Sequence, residues 1–247
     1  MKSTDIRKSL EAAIVDPALQ DATSALAEAI LDSSIENGIL REIPIVGTII
    51  GLGRAAVTIR DRLFLNKLRY LLTEIESVAV EDRENVISSI NNSEEYSIKV
   101  GEKLLYIVDR REDHQAASLV GRVFRAFLEG SLDYESFVRL AGIIDKIHHS
   151  TVLDFAHTDW EEIDADKVTE LIGTGLIELN PMYIRVEDQT DWKASNKYVV
   201  DGGRLTCSVT MLGRELRGIL GESKAKPNKP WMSTAPSPLK PASSSPQ

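Results

Sequence analysis

Between residues 64 and 144 apolar side chains return at spacings of three and four, in three separate runs. Phe64, Leu68, Leu71, Leu72 and Ile75 fall on one helical face. Val120, Val123, Phe124, Phe127 and Leu128 fall on a second, and Phe137, Leu140, Ala141 and Ile144 on a third. That period buries one stripe of each segment and leaves the opposite side to water. A chain carrying three such stripes folds by packing helix on helix, so residues 1–150 are expected to form a helical bundle. In "EGSLDYESF", Gly130 is expected to end one helix and Asp133 to cap the next. "INNSEEYS" marks an earlier junction.

Beyond residue 150 the pattern changes. "DADKVTELIGTGLIEL" reads as a short helix ending near the Gly173–Gly175 turn. "MYIRVED", "KYVV" and "RLTCSVT" have the alternating or β-branched character of a small antiparallel ribbon. "TMLGRELRGIL" returns to helix. Residues 151–220 are therefore expected to be a winged-helix-like α+β module, with residues 134–157 supplying one of its earlier helices. The tail from 221 to 247 holds six of the nine prolines. Sequence so rich in proline, serine and lysine cannot offset its ordering entropy, so this tail is expected to be disordered, with Trp231 its one large anchor. The fold class expected is mainly α: a bundle, a small module and a tail. No Gly/Pro-rich linker precedes residue 220, so bundle and module are expected to pack together.

The stretch "IPIVGTIIGLGRAAVTIRDRLF", from Ile43 to Phe64, admits three readings. A membrane span needs about 20 apolar residues, and only eleven uncharged ones lie between Glu42 and Arg54. Gly51 to Ala56 fits G-x-G-x-x-A, yet the dinucleotide fingerprint has meaning only inside a βαβ unit, and no such unit follows. The remaining reading is a packed helix. Gly47, Gly51 and Ala55 are spaced by four and make a face without bulk, which lets a second helix come close. Arg54, Arg60, Arg62, Lys67 and Arg69 face only Asp61 across residues 54–69. An apolar helix beside such a basic segment can lie on an anionic membrane surface. The plainer alternative pairs these cations with the protein's surplus carboxylates; the net charge is −9.

Chemistry-bearing residues are sparse. Asp145, His148, His149, Asp154, His157 and Asp159 crowd one interval, with Asp145 and His148 expected on one helical face. The interval lacks H-E-x-x-H and any cysteine pair, so no metal and no cofactor is expected. No serine or cysteine lies in a nucleophile context. "GSLDYESF" echoes the exit of a calcium loop, but the aspartates such a loop needs are missing upstream. The single cysteine, Cys207, cannot close an internal disulfide. The first residues carry charges throughout and are not read as a signal peptide, so a cytoplasmic protein is expected.

A winged helix suggests DNA binding, and charge tests that idea. Residues 151–190 hold ten acidic residues against Lys167 and Arg185. The expected reading helix would carry Asp164, Asp166, Glu170 and Glu178, which phosphates repel. Arg204, Arg214, Arg217 and the tail lysines remain as a basic edge for that alternative. Contact with protein is favoured over contact with nucleic acid.

The run "AEAILDSSIENGILREIPIVGTIIGLGRAAVTIRDRLFLNKLRYLL" and the later "KVGEKLLYIVDRREDHQAASLVGRVFRAFLEGSLDYESFVRLAGIID" resemble successive segments of an uncharacterised family of bacterial helical proteins. The layout of helices before a winged-helix-like end is also similar to that of the abortive-infection alpha-type proteins of bacterial phage defence. The resemblance implies a bacterial role in defence or stress, no known reaction, and no catalytic residue to carry over. The expectation is a non-enzymatic interaction protein with an unidentified protein partner. Residues 43–69 would associate with the membrane, as a peripheral contact at its inner face. The alternative is a winged-helix transcriptional regulator.

Overall fold

The structure, a computed structural model, describes residues 3–31, 59–92, 100–110, 113–188 and 198–221. Nine α-helices and five short strands lie among the described residues. The helices are α1 (Ser3–Ile14), α2 (Leu19–Leu31), α3 (Ile59–Thr73), α4 (Val80–Asn92), α5 (Val100–Arg110), α6 (His114–Leu128), α7 (Tyr134–Lys146), α8 (His149–Ala156) and α9 (Met211–Leu220). The strands β1 (Glu162–Asp164), β2 (Ile177–Leu179), β3 (Ile184–Asp188), β4 (Tyr198–Gly202) and β5 (Thr206–Val209) fall between α8 and α9. The mainly helical architecture is the one the spacing predicts.

Helix α6 is the hub, touching α3, α4, α5, α7, α8 and α9. Ala117, Val120, Gly121, Val123, Phe124 and Phe127 are all buried, so this helix is covered around most of its circumference. Its ends are well defined. Asp113 sits in extended backbone and accepts a 2.8 Å hydrogen bond from Gln115 N. At the other end Gly130 has φ +73°, a conformation in which glycine carries no Cβ penalty. Ser131 N then donates back to Ala126 O at 3.0 Å. Asp133 starts α7 by accepting from Ser136 N at 2.7 Å, as the sequence predicts. Phe137 joins the two helices, with ring centroids 5.5 Å from Phe124 and 5.2 Å from Phe127.

Helix α3 crosses α6 with little space between them. A Cβ on Gly121 would lie 2.7 Å from Leu71 O and 2.9 Å from Glu74 Cβ. Next to it Ser118 Oγ donates to Glu74 Oε1 at 2.5 Å. The stripe Leu68, Leu71, Leu72 and Ile75 is fully buried against this contact. One apolar cluster runs without interruption from Leu10 to Leu220. Bundle and module therefore share a core, because α9 packs on α6, α7 and α8.

Arg83 is 3% exposed and ties three stretches of chain together. Its guanidinium donates to Val78 O at 3.1 Å, to Ile14 O at 2.5 Å and to Asp16 O at 3.2 Å. Burial pushes its pKa down, and Asp16, Glu81 and Glu84 push the other way. The end of α1 is thus pinned to the start of α4.

Two expectations need correction. The helix expected over "DADKVTEL" is two 3-10 turns, Ala165–Lys167 and Thr169–Leu171, and Glu178 lies in β2. Val168 and Thr169 are β-branched, and eight residues are too few to sustain an α-helix without a packed face. No acidic reading helix exists there. Residues 134–157 form two helices, not one: Ile147 ends α7 and His148 caps α8. Asp145 and His148 consequently share no helical face. The segment with Gly47, Gly51, Arg54 and Ala55, and the tail with Trp231, lie outside the described residues.

Replacing Arg83 with Met takes this donor from the buried carbonyls of Ile14 and Val78, while Asp16 O keeps Leu19 N. The variant is expected to lose about 2–4 kcal/mol of unfolding free energy, measured as a lower urea midpoint at unchanged m-value.

Candidate functional site

Strands β1, β5 and β2 form one antiparallel sheet in that order. Alternation sorts its side chains, except that Leu179 shares the Cys207 side and is exposed. Ile177, Val209 and Cys207 turn toward the core and are buried. Glu162, Ser208 and Glu178 form a row across the outer face. Beside it, Ser208 Oγ donates to Asn180 Oδ1 at 2.9 Å and Asn180 Nδ2 donates to Thr206 Oγ1 at 3.0 Å. The outer face is acidic and polar, unlike a surface built to hold phosphates.

Beyond Asn180 the chain leaves this sheet and continues as the two-stranded ribbon β3–β4, with Ile184 opposite Gly202 and Val186 opposite Val200. Gly203 N donates to Tyr183 O at 3.1 Å, closing the near end of the ladder. Six large apolar side chains are exposed along the ribbon and its base: Leu179, Met182, Tyr183, Ile184, Val186 and Leu205, from 40% for Leu205 to 81% for Tyr183. Single exposed apolar residues are ordinary, whereas a contiguous run of this kind is not. The sequence pattern showed the ribbon; it could not show that Tyr183, Ile184 and Val186 would be exposed.

A clamp holds the module in place. Arg217 of α9 lies between two aromatic rings, with its guanidinium carbon 4.7 Å from the centroids of both Phe155 and Trp160. It also donates to Thr158 Oγ1 at 2.8 Å. Glu161 receives Arg214 through Nε at 3.0 Å and Nη2 at 2.8 Å, and Arg217 at 3.4 Å. Desolvation pushes the Arg217 pKa down, with Glu161 and Asp159 pulling the other way. On the far side, Arg122 of α6 donates to Ile219 O and Leu220 O, capping the C-terminus of α9 with positive charge. Thr210 starts the same helix by accepting from Gly213 N, and its hydroxyl donates to Gly175 O at 2.7 Å.

The structure distributes the sequence-derived candidates unevenly. Of the cations expected to meet an anion or a membrane, Arg60 is 87% exposed and 3.8 Å from Asp109. Arg62 is half-buried, and Arg69 lies 4.3 Å over the Tyr70 ring. Lys67 is buried and donates to Asp109 O at 3.3 Å, which turns it inward. Ile59 and Leu63 are one turn apart at the start of α3, and are 79% and 60% exposed. Of the cations in the DNA alternative, Arg204 is exposed, whereas Arg214 and Arg217 are committed to Glu161.

The histidines serve as local anchors. His149 Nδ1 meets Asp113 Oδ2 in close contact, off the hydrogen-bond line. His148 accepts from Ser150 N as the cap of α8, and its ring lies 4.3 Å from that of His149. His157 Nδ1 reaches Leu153 O at 2.7 Å. Among the described residues no group of three or more histidine, cysteine or acidic side chains is placed to hold a metal ion. Among the same residues no helix is long and apolar enough to cross a membrane. Burial pushes the Cys207 thiol up, away from the thiolate that a nucleophile needs.

Comparisons with protein-family models, with curated proteins and with solved structures find no match to this chain.

The clamp generates a specific expectation. Arg217→Lys keeps the charge but loses the flat guanidinium that lies near both rings. Stability is expected to fall by about 1–2 kcal/mol, and hydrogen exchange should show the loss first in α9.

Proposed function

We propose that this protein acts by association, and that the β3–β4 ribbon is its contact surface for another protein. The observation that carries this reading is the exposed apolar run centred on Tyr183, Ile184 and Val186. A two-stranded ribbon is marginally stable by itself. A partner that covers it supplies the missing packing. The helical body supports the ribbon without enclosing it: α9 is held at both ends, and the sheet beneath is anchored by buried Cys207 and Val209. The defence or stress role implied by the layout resemblance suits a protein that works through contact.

A photo-crosslinking residue placed at position 183 in the full chain tests the reading in the native host. Discrete protein adducts are expected, and Ile184→Ser/Val186→Ser should abolish them without changing the melting temperature. Adducts to lipid or nucleic acid alone, or none, would remove the proposal.

A second reading is favoured by Ile59 and Leu63, exposed on one face of α3 beside Arg60. An apolar pair flanked by arginines suits the headgroup region of an anionic bilayer. Full-length protein is expected to sediment with vesicles rich in phosphatidylglycerol, and Ile59→Ser/Leu63→Ser should reduce the bound fraction several-fold. Equal binding to neutral vesicles would exclude the electrostatic part.

A further inference from the structure

Among the described residues strand β3 has one ladder partner, β4, and β2 has one, β5. The two consecutive strands therefore leave an unpaired side that runs from residue 177 to residue 188, interrupted where the chain passes between sheets. Antiparallel ladders alternate between groups turned inward and groups turned outward. The bond from Gly203 N to Tyr183 O fixes that alternation. Tyr183 turns its carbonyl toward β4, so the N–H and C=O groups of Ile184 and Val186 point to the open side.

The same two residues project exposed apolar side chains from one face, and Tyr183 projects from the other. Edge strands of soluble proteins are normally shortened, charged or covered to prevent pairing. Here the edge carries apolar side chains and open backbone groups together, which is the arrangement used in strand addition.

Charge identifies the kind of segment that would fit. The two strands of this edge carry Glu178, Glu187 and Asp188 in their sequence against Arg185 alone. Glu162 and Glu178 stand exposed on the outer face of the adjoining sheet, and Glu178 belongs to the strand whose edge continues into β3. An acidic strand would be repelled along this edge, and a basic one attracted. We propose that the open edge of β3, continuing along β2, accepts an extended basic segment of a partner protein as a third strand. This rests on the reading of the ribbon as a protein contact. It adds the mode of pairing, the edge used and the charge of the occupant.

Three labelled peptides serve as probes for the full chain, read by fluorescence anisotropy. One alternates lysine with valine, the second replaces each lysine with glutamate, and the third is the lysine peptide methylated at alternate backbone amides. The lysine peptide is expected to bind at least about tenfold more tightly than either of the others, and to weaken as salt is raised. Val186→Pro removes an outward N–H from the edge, and should lower affinity for the lysine peptide by a similar factor. Methylation acts on the ligand alone, so it reports on strand pairing even where that variant disturbs the ribbon.

Equal binding of the methylated peptide would overturn pairing through the backbone. Equal binding of the glutamate peptide would overturn the charge assignment. A chain that sediments as a dimer, and becomes monomeric with Val186→Pro, would show a second copy as the occupant and overturn the proposal. A partner crosslinked at position 183 that the lysine peptide fails to displace would overturn strand addition while leaving the ribbon's role in protein contact standing.

Discussion

The fold depends on the close approach of α3 to α6. At Gly121 the missing side chain lets the Leu71 carbonyl come within 2.7 Å of where a Cβ would be. A helix that must accept neighbours on most of its circumference cannot keep all of them at the usual 8–10 Å distance set by bulky side chains. Ala117 and Gly121, one turn apart, give α3 the narrow side, while Val120, Phe124 and Phe127 fill the wider ones. Dense packing transmits such a constraint. With α3 fixed, its apolar stripe is placed for α2, and α5 can reach both α3 and α6.

Around this hub, arginines act as fasteners. Arg83 joins the end of α1 to α4, Arg122 joins α6 to the last turn of α9, and Arg217 joins α9 to the rings beyond α8. Each makes more than one contact through a rigid planar group, a geometry lysine lacks. Two of the three bind main-chain carbonyls, so they fix chain position as well as side-chain packing. Strand β3 continues from a base secured in this way, so its exposed side chains do not loosen the core.

How much of this the sequence revealed depends on the distance over which each interaction acts. The stripes on α3, α6 and α7 were legible because helical periodicity is local, and all but the half-buried Phe64 of the named positions are buried. The caps at Gly130 and Asp133 were legible for the same reason. The strands β3, β4 and β5 followed from β-branched alternation. Strand β1 did not, because three residues carry no pattern. The turns at 165–171 were misread as a helix, since their charges suit a helix surface while Val168 and Thr169 do not. Lys67 looked like a surface cation, and its inward turn is set by Asp109, 42 positions away. The apolar ribbon was visible in "MYIRVED", but its exposure is decided by what the rest of the chain leaves uncovered.

Arg83 also bears on the order in which a growing chain can close. Its acceptor on Ile14 lies 69 positions earlier. During synthesis the first helix leaves the ribosome long before its guanidinium exists, and until then the waiting carbonyls must remain bonded to water. The end of α1 therefore gains this donor only after the chain through Arg83 has been made, and its packing face only with α5.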